Sequence, residues 1–132
     1  HVMTRVLAAL REQLPESQLQ GICDLTWQNR KCSGNSLRIT RDCLLYHGTI
    51  LYNFDLDLIS QSLKLAPRQP EYRAGRDHGA FVTNAPIDPM QFGAAVCEQF
   101  QVTGETNADL WLAPIRKLRQ DRYDDLAWHF RH

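Results

Sequence analysis

Arg30-Lys31-Cys32-Ser33-Gly34-Asn35-Ser36-Leu37-Arg38, followed by Leu44-Leu45-Tyr46-His47-Gly48-Thr49, is the stretch that decides the fold. Arg30 to Thr40 reads as a strand broken at Ser33-Gly34-Asn35, because a glycine inside a strand pattern marks a bulge or a close backbone approach. Arg41-Asp42 turns the chain, and Cys43 to Asn53 returns as a strand rich in apolar and β-branched residues, expected to be central. One lysine therefore stands on a strand just before a small-residue turn, with His-Gly-Thr beside it. Small residues let backbone approach a ligand, and a lysine supplies a compact positive charge for an anion. The pair of segments reads as half of a site for a carboxylate and a phosphate.

Upstream, Leu19 to Trp27 alternates apolar and polar residues and predicts a first strand, with a turn at Gln28-Asn29. The three strands form an antiparallel meander. Before them, Val2, Val6, Ala9 and Leu10 share the face of a helix that Pro15 ends. This helix opens without a cap, so the chain is expected to begin inside a fold. Downstream, Asp55 caps a helix from Leu56 to Leu63, with Leu56, Ile59 and Leu63 facing inward. Pro67 and Pro70 force extended chain. Gly75 and Gly79 bracket a loop, and Ala80 to Thr83 is a short strand. Asp88-Pro89 opens a helix as cap and first residue. Ala113 to Tyr123 is helical with Pro114 in its first turn, and Asp124 caps a last turn carrying Leu126, Trp128 and Phe130.

The 132 residues suit one domain, 1–132, with a modest core. Fifteen basic residues balance fifteen acidic ones, which argues against a nucleic-acid partner recognised by gross charge. No apolar run reaches membrane-span length, so no membrane partner is expected. No signal-peptide pattern opens the chain. The four cysteines form no C-x-x-C pair, and reduced, mostly buried thiols in a cytoplasmic protein are expected.

Lys31-Cys32-Ser33-Gly34-Asn35 with His47-Gly48-Thr49 resembles the core signature of the lipoate-protein ligase family, within the wider group of biotin and lipoate ligases. Gln69-Pro70-Glu71-Tyr72-Arg73-Ala74-Gly75-Arg76-Asp77-His78 and Phe81-Val82-Thr83-Asn84 resemble one branch of those ligases. The resemblance is strongest from Gly21 to Asn84. It implies an α+β fold, a mostly antiparallel sheet with helices packed on one face, in a biotin/lipoate-ligase-like (class II synthetase-like) domain. It implies ATP-dependent activation of lipoate to lipoyl-AMP and transfer to a lysine of a lipoyl-carrier domain. ATP, magnesium and lipoate are the implied cofactor and substrates, and lipoyl-acceptor proteins the implied partners.

The resemblance makes Lys31 the catalytic cation; from composition alone it is a solvated lysine at a strand start. Ser33, Gly34, Asn35, His47, Gly48 and Thr49 would line the adenylate pocket, Gly48 by admitting the nucleotide and Thr49 by hydrogen bonding. His47 takes a binding or structural role and no base role. Asp24 is either near magnesium and phosphates, as in the family, or a salt-bridge partner of Lys31 or Arg30. Arg73 and Arg76, with His78, either meet phosphate or an acidic acceptor domain, or belong to a charge-balanced loop with Glu71 and Asp77. Related octanoyl and lipoyl transferases use a cysteine and no ATP. Cys32 is the tempting candidate beside Lys31, yet alternation turns it off the lysine's face. A non-catalytic interaction subunit is the third reading. The family's glycine-rich acyl-binding segment with paired arginines is expected before the first helix. The chain therefore reads as the second half of a catalytic domain, inactive alone, whose other half is a separate subunit or missing chain.

Overall fold

The computed structural model describes residues 1–131. They divide into two compact units, His1–Val102 and Thr103–His132.

The first unit begins with helix α1, Val2–Arg11, which buries Val6, Leu7, Ala9 and Leu10. A three-stranded antiparallel sheet follows, β1 (Gln18–Gln20), β2 (Asp24–Trp27) and β3 (Arg30–Lys31). The expected single strand from Leu19 to Trp27 is in fact a hairpin. Gly21 sits at φ +57°, a left-handed conformation that suits glycine, and reverses the chain. Leu19 then lies opposite Leu25 and Gln20 opposite Asp24. The alternation that suggested one strand survives because paired residues share a face. The expected turn at Gln28-Asn29 is present, with φ of 50° and 56°, the hand that matches a tight hairpin.

The expected break at Ser33-Gly34-Asn35 falls instead at Cys32, where the chain changes partner. Lys31 pairs with Thr26 and forms a parallel bridge to Val82. From Ser33 onward the pairing is with the returning strand, in β4 (Ser33–Ile39) and β5 (Leu44–Ile50). Cys32 joins both regions: its N–H donates to the Leu25 carbonyl at 2.9 Å, and its carbonyl accepts from Leu51 N–H at 2.9 Å. β5 is not central. It pairs with β4 alone, and Leu44 and Leu45 are exposed.

Ala80 to Thr83 is not a strand. Helix α3 spans His78–Phe81, because the Asp77 carboxylate accepts the Ala80 N–H at 2.7 Å and starts a helical turn. Only the Val82 bridge and the Thr83 N–H to Lys31 carbonyl bond, 2.9 Å, are sheet-like. Helix α2 is Asp57–Ser62; Leu56 and Ile59 are half-buried, but Leu63 is exposed. Helix α4, Pro89–Gln99, starts where Asp88 caps it, accepting from Met90 and Gln91 N–H.

The core joins Val6, Leu7, Leu10 and Leu14 to Leu25, Cys32 and Ala85, with Trp27, Tyr46, Ile50 and Phe92 packed against it. Burying a leucine such as Leu25 contributes about 1.5–3 kcal/mol. Arg5 ties α1 to the end of α4 through the Gln99 carbonyl at 3.0 Å. Of the four cysteines only Cys32 is buried; Cys43 and Cys97 are exposed, so the expectation of mostly buried thiols is corrected, although all four are free.

The second unit carries helix α5 (Asp109–Leu118), a π-helical turn (Arg119–Tyr123) and helix α6 (Leu126–His129). Pro114 lies inside α5 and not in its first turn, since the helix starts four residues earlier than expected. Asp125, not Asp124, caps α6; Asp124 instead accepts from Arg119 at 2.9 Å. Among the described residues no helix is long and apolar enough to cross a membrane.

Candidate active site

A cleft of about 700 Å³ opens between the Gly21 turn and the segment from Arg68 to Tyr72, with Lys31, Asp24 and Asn35 on its walls. Each position has a local cause. Asp24 begins β2 straight after the turn that Gly21 makes, and pairs with Gln20. Lys31 ends β3. Its backbone is held on two sides, by Thr26 in β2 and by Val82 and Thr83. The opposite wall is a turn of 3-10 helix, Glu71–Arg73, entered from Pro70 and left through Ala74 in a left-handed conformation.

The charge chemistry centres on Asp24. Its Oδ1 lies 2.7 Å from Lys31 Nζ, and its Oδ2 accepts the Tyr72 hydroxyl at 2.7 Å. Of the two sequence readings of Asp24, the geometry contains the salt bridge. The pair is partly open, with 29% of the lysine and 13% of the aspartate side chain exposed. An ion pair so placed contributes about 1 kcal/mol or less to stability, so its geometry matters more than its energy. Burial first, then the Asp24 hydrogen bond and charge, push the Tyr72 phenol well above its ordinary value, against the opposing charge of Arg76.

Ser33 is 2% exposed, and its Oγ accepts from Leu25 N–H at 2.8 Å and from the Asn35 amide at 2.7 Å. It binds β4 to β2 and does not face the cleft. Asn35 also donates to the Cys23 carbonyl at 2.7 Å and accepts from the Tyr46 hydroxyl. Gly48 lies opposite Asn35. A Cβ on Gly48 would come 2.6 Å from the Tyr46 hydroxyl and 2.7 Å from Asn35 Oδ1. The space that glycine leaves is thus filled by the tyrosine reaching across to the asparagine. Gly48 and Thr49 line a separate cavity of about 170 Å³ with Asn35, Tyr46 and Ile50. His47 is exposed opposite Ser36, on the other face of the hairpin from Asn35 and Gly48. The register therefore brings the His-Gly-Thr segment against Gly34-Asn35-Ser36, while only Lys31, Asp24 and Asn35 of the candidates share the large cleft.

Arg73 and Arg76 lie around Phe81, at 4.5 and 5.4 Å from the ring centroid. Arg73 is buried and donates to the Arg76 carbonyl at 2.8 Å. Arg76 donates to the carbonyls of Arg73, Asn29 and Tyr72. Both hold the loop together. His78 is half-buried in α3. Cys32 is fully enclosed, donates to the Leu25 carbonyl at 3.3 Å, and burial pushes its thiol up to about 11. A nucleophilic cysteine needs the reverse of both.

The sequence reading gave Tyr72 and Arg68 no site role. Tyr72 stood in the quoted Pro-Glu-Tyr-Arg run, and only the fold shows its reach to Asp24. Arg68 is one basic residue among many in an exposed stretch, and nothing in the sequence sets it apart.

The donor set near Asp24 does not suit a bound magnesium ion. Among the described residues no three His, Cys, Asp or Glu side chains gather as metal ligands. Both Asp24 oxygens already hold donors. The described residues do not form a dedicated metal site.

A model of the Lipoyl protein ligase A/B catalytic domain matches residues 1–101. Lipoate–protein ligase 1 of Staphylococcus aureus is 26% identical over 140 residues, covering 95% of this chain and 41% of its own length. A crystal structure of lipoate-protein ligase A bound with ATP superposes with a TM-score of 0.72 at 17% identity, over 96% of this chain and 56% of that one. A bipartite lipoate protein ligase from Thermoplasma acidophilum, solved in a study of the ligase and its E2 lipoyl domain, gives 0.71 at 18%, over 96% and 55%. At these identities the structural likeness speaks for the fold, the biotin/lipoate ligase fold. The chain spans about two fifths of the length of the Staphylococcus aureus relative. The match over residues 1–101 covers most of the sequence, and the chain belongs to the lipoyl protein ligase A/B catalytic domain family.

Proposed function

We propose that this chain carries the lysine-bearing wall of a site that activates lipoate with ATP and passes the lipoyl group to a lysine of a lipoyl-carrier domain. The observation that carries the reading is the Lys31 ammonium, held 2.7 Å from Asp24 on the wall of a cleft large enough for a nucleotide. In the first step a lipoate carboxylate oxygen attacks the α-phosphorus and the bond to pyrophosphate breaks, leaving lipoyl-AMP. Two anions meet, and charge gathers on the α-phosphate oxygens. A fixed ammonium there is worth about 3–4 kcal/mol, by analogy with a preorganised hydrogen-bond donor. In the second step the acceptor amine attacks the lipoyl carbonyl carbon, the bond to AMP breaks, AMP leaves with the bond's electron pair, and the amine gives a proton to solvent as the amide forms. Lys31 then holds the departing phosphate. The ammonium supplies this charge without changing its own protonation. Magnesium would enter with ATP as part of the substrate, since hard cations of this kind keep waters and substrate phosphates as ligands.

Similarity to lipoate–protein ligases, one of them solved with ATP bound, supports lipoate and ATP, and the bipartite archaeal ligase supports a lipoyl-domain acceptor. The chain spans about two fifths of the length of the Staphylococcus aureus ligase. Residues 1–132 alone are then not expected to adenylate. Free thiols fit a cytoplasmic setting. Enclosure of Cys32 counts against a cysteine transferase.

The test is pyrophosphate exchange into ATP, with the complementary half supplied. Exchange should require lipoate, with octanoate and then biotin as weaker substitutes. Acyl transfer onto a protein thiol with no ATP present would overturn the reading.

A further inference from the structure

The Lys31 side chain is a flexible four-carbon stem ending in rotatable donors, so something beyond β3 must aim it. We infer that Tyr72 is the positioning residue of this site: its hydroxyl fixes the Asp24 carboxylate so that Asp24 keeps the Lys31 ammonium turned into the cleft. The inference rests on the adenylation reading above, and names the residue that makes its cation usable.

The two Asp24 oxygens do separate work. Oδ1 meets Lys31 Nζ at 2.7 Å, and Oδ2 accepts the Tyr72 O–H at 2.7 Å. Rotating the carboxylate would break both contacts together. Its backbone is fixed by pairing with Gln20, and its side chain by Tyr72. Tyr72 is itself immobilised. Its ring lies 5.2 Å from that of Phe81, and its carbonyl accepts from Arg76 at 2.7 Å. Arg76 also reaches the Asn29 carbonyl in the β2–β3 turn at 2.9 Å, so the loop bearing Tyr72 is pinned to the sheet that bears Lys31. Burial and the Asp24 hydrogen bond raise the Tyr72 phenol well above its ordinary value, so the hydroxyl keeps its proton and donates. At Gly21 a Cβ would meet Tyr72 Cε1 at 3.5 Å and Asp24 Oδ2 at 3.7 Å, ordinary contact distances, so the glycine serves the turn through its φ of +57° and leaves the Tyr72–Asp24 pair unaffected. An ammonium has three N–H donors. Lys31 can keep one on Asp24 and offer the others to a phosphate oxygen, provided the carboxylate stays in place.

Tyr72→Phe tests this, since it keeps the ring on Phe81 and removes the hydroxyl alone. The first readout needs no ligand. In the native chain the ¹⁵N signal of the Lys31 ammonium should be sharp, because its hydrogen bond slows proton exchange. The signal should broaden or vanish in Tyr72→Phe and in Asp24→Asn, and return in part in Tyr72→His, which restores an N–H donor. A signal unchanged by Tyr72→Phe overturns the inference. The second readout is lipoate-dependent pyrophosphate exchange with the complementary half supplied. There kcat should fall roughly tenfold to a hundredfold, as misplacement of a reacting group does, with KM for lipoate within about twofold. Asp24→Asn should lose as much, and the double variant no more than either single one. Additive losses, or an equal rise in KM, mean that Tyr72 acts elsewhere. If the native protein shows no lipoate-dependent exchange, the adenylation reading fails, while the ammonium signal still decides whether Tyr72 positions Lys31.

Discussion

Two basic regions of the first unit sit on either side of Tyr72 and use their charge in different ways. Lys31 is matched to one carboxylate and remains partly open on the wall of a large cleft. Arg73 and Arg76 have no carboxylate partner among the described residues. Arg73 Nε and all three Arg76 guanidinium nitrogens donate to backbone carbonyls, Arg73 Nη2 is buried with no hydrogen-bond partner among the described residues, and both planes lie near Phe81. A guanidinium committed to carbonyls and a ring face cannot leave them without unmaking the loop. An ammonium held by one carboxylate can share its donors with an incoming anion at little cost. The difference teaches that a cation's present partners say more about its use than its charge does.

The comparison can be broken most severely by reversing one charge. Lys31→Glu faces Asp24 with a second carboxylate and repels phosphate; nucleotide affinity, read by calorimetry with the complementary half supplied, should fall by about a hundredfold or more, since like charges so juxtaposed cost several kcal/mol. Lys31→Ala, which removes the charge without adding another, should leave the melting temperature nearly unmoved, because the lost ion pair is worth about 1 kcal/mol or less. On the arginine side the split should invert. Phe81→Ala removes the ring that both guanidiniums lie against, and should cost about 3–5 kcal/mol in denaturant unfolding. An unfolding midpoint unmoved by Phe81→Ala would remove the structural role given to that region.

Cys32, between cleft-facing Lys31 and buried Ser33, sharpens the boundary. Its thiol titrates at about 11 in the fold against an ordinary 9.0. The unfolded chain therefore gives up this proton first. Stability from this group is full below pH 9 and is lost as pH climbs toward 11. The loss is of order 2–3 kcal/mol. The free energy of unfolding should fall between those pH values in the native protein and fall less in Cys32→Ala. The smallest effect belongs to Gly48→Ala. The added methyl meets the Tyr46 hydroxyl and Asn35 Oδ1, and should cost about 1–3 kcal/mol as overpacking does. Tyr46→Phe should relieve part of it, and an uncorrected loss in the pair would assign Gly48 another role.

Much of the site's address was legible, and less of its wiring. Alternation and turn residues placed Lys31 beside a hairpin, and the register did bring His47-Gly48-Thr49 against Gly34-Asn35-Ser36. The Asp88 cap with Pro89 was readable because capping is local chemistry. The Leu19 to Trp27 hairpin was not, since a period of two is the same for one strand and for two that pair face to face. Asp77 starting a helical turn was hidden by the glycines around it. Asp24 and Tyr72 are 48 residues apart in sequence, and their contact depends on how the loop docks. Local periodicity carries no such information. Arg73 and Arg76 read either as anion ligands or as members of a charge-balanced loop for the same reason: charge is written in the sequence, and burial is not.

The most direct test of the central claim is lipoate-dependent pyrophosphate exchange by Lys31→Ala, with the complementary half supplied and equal folded concentrations confirmed by circular dichroism. The account predicts a fall of about a hundredfold or more, the loss expected when one preorganised charge is removed from a developing oxyanion. Exchange within about threefold of the native rate, less than 1 kcal/mol of barrier, would contradict it and return Lys31 to an ordinary surface pair with Asp24.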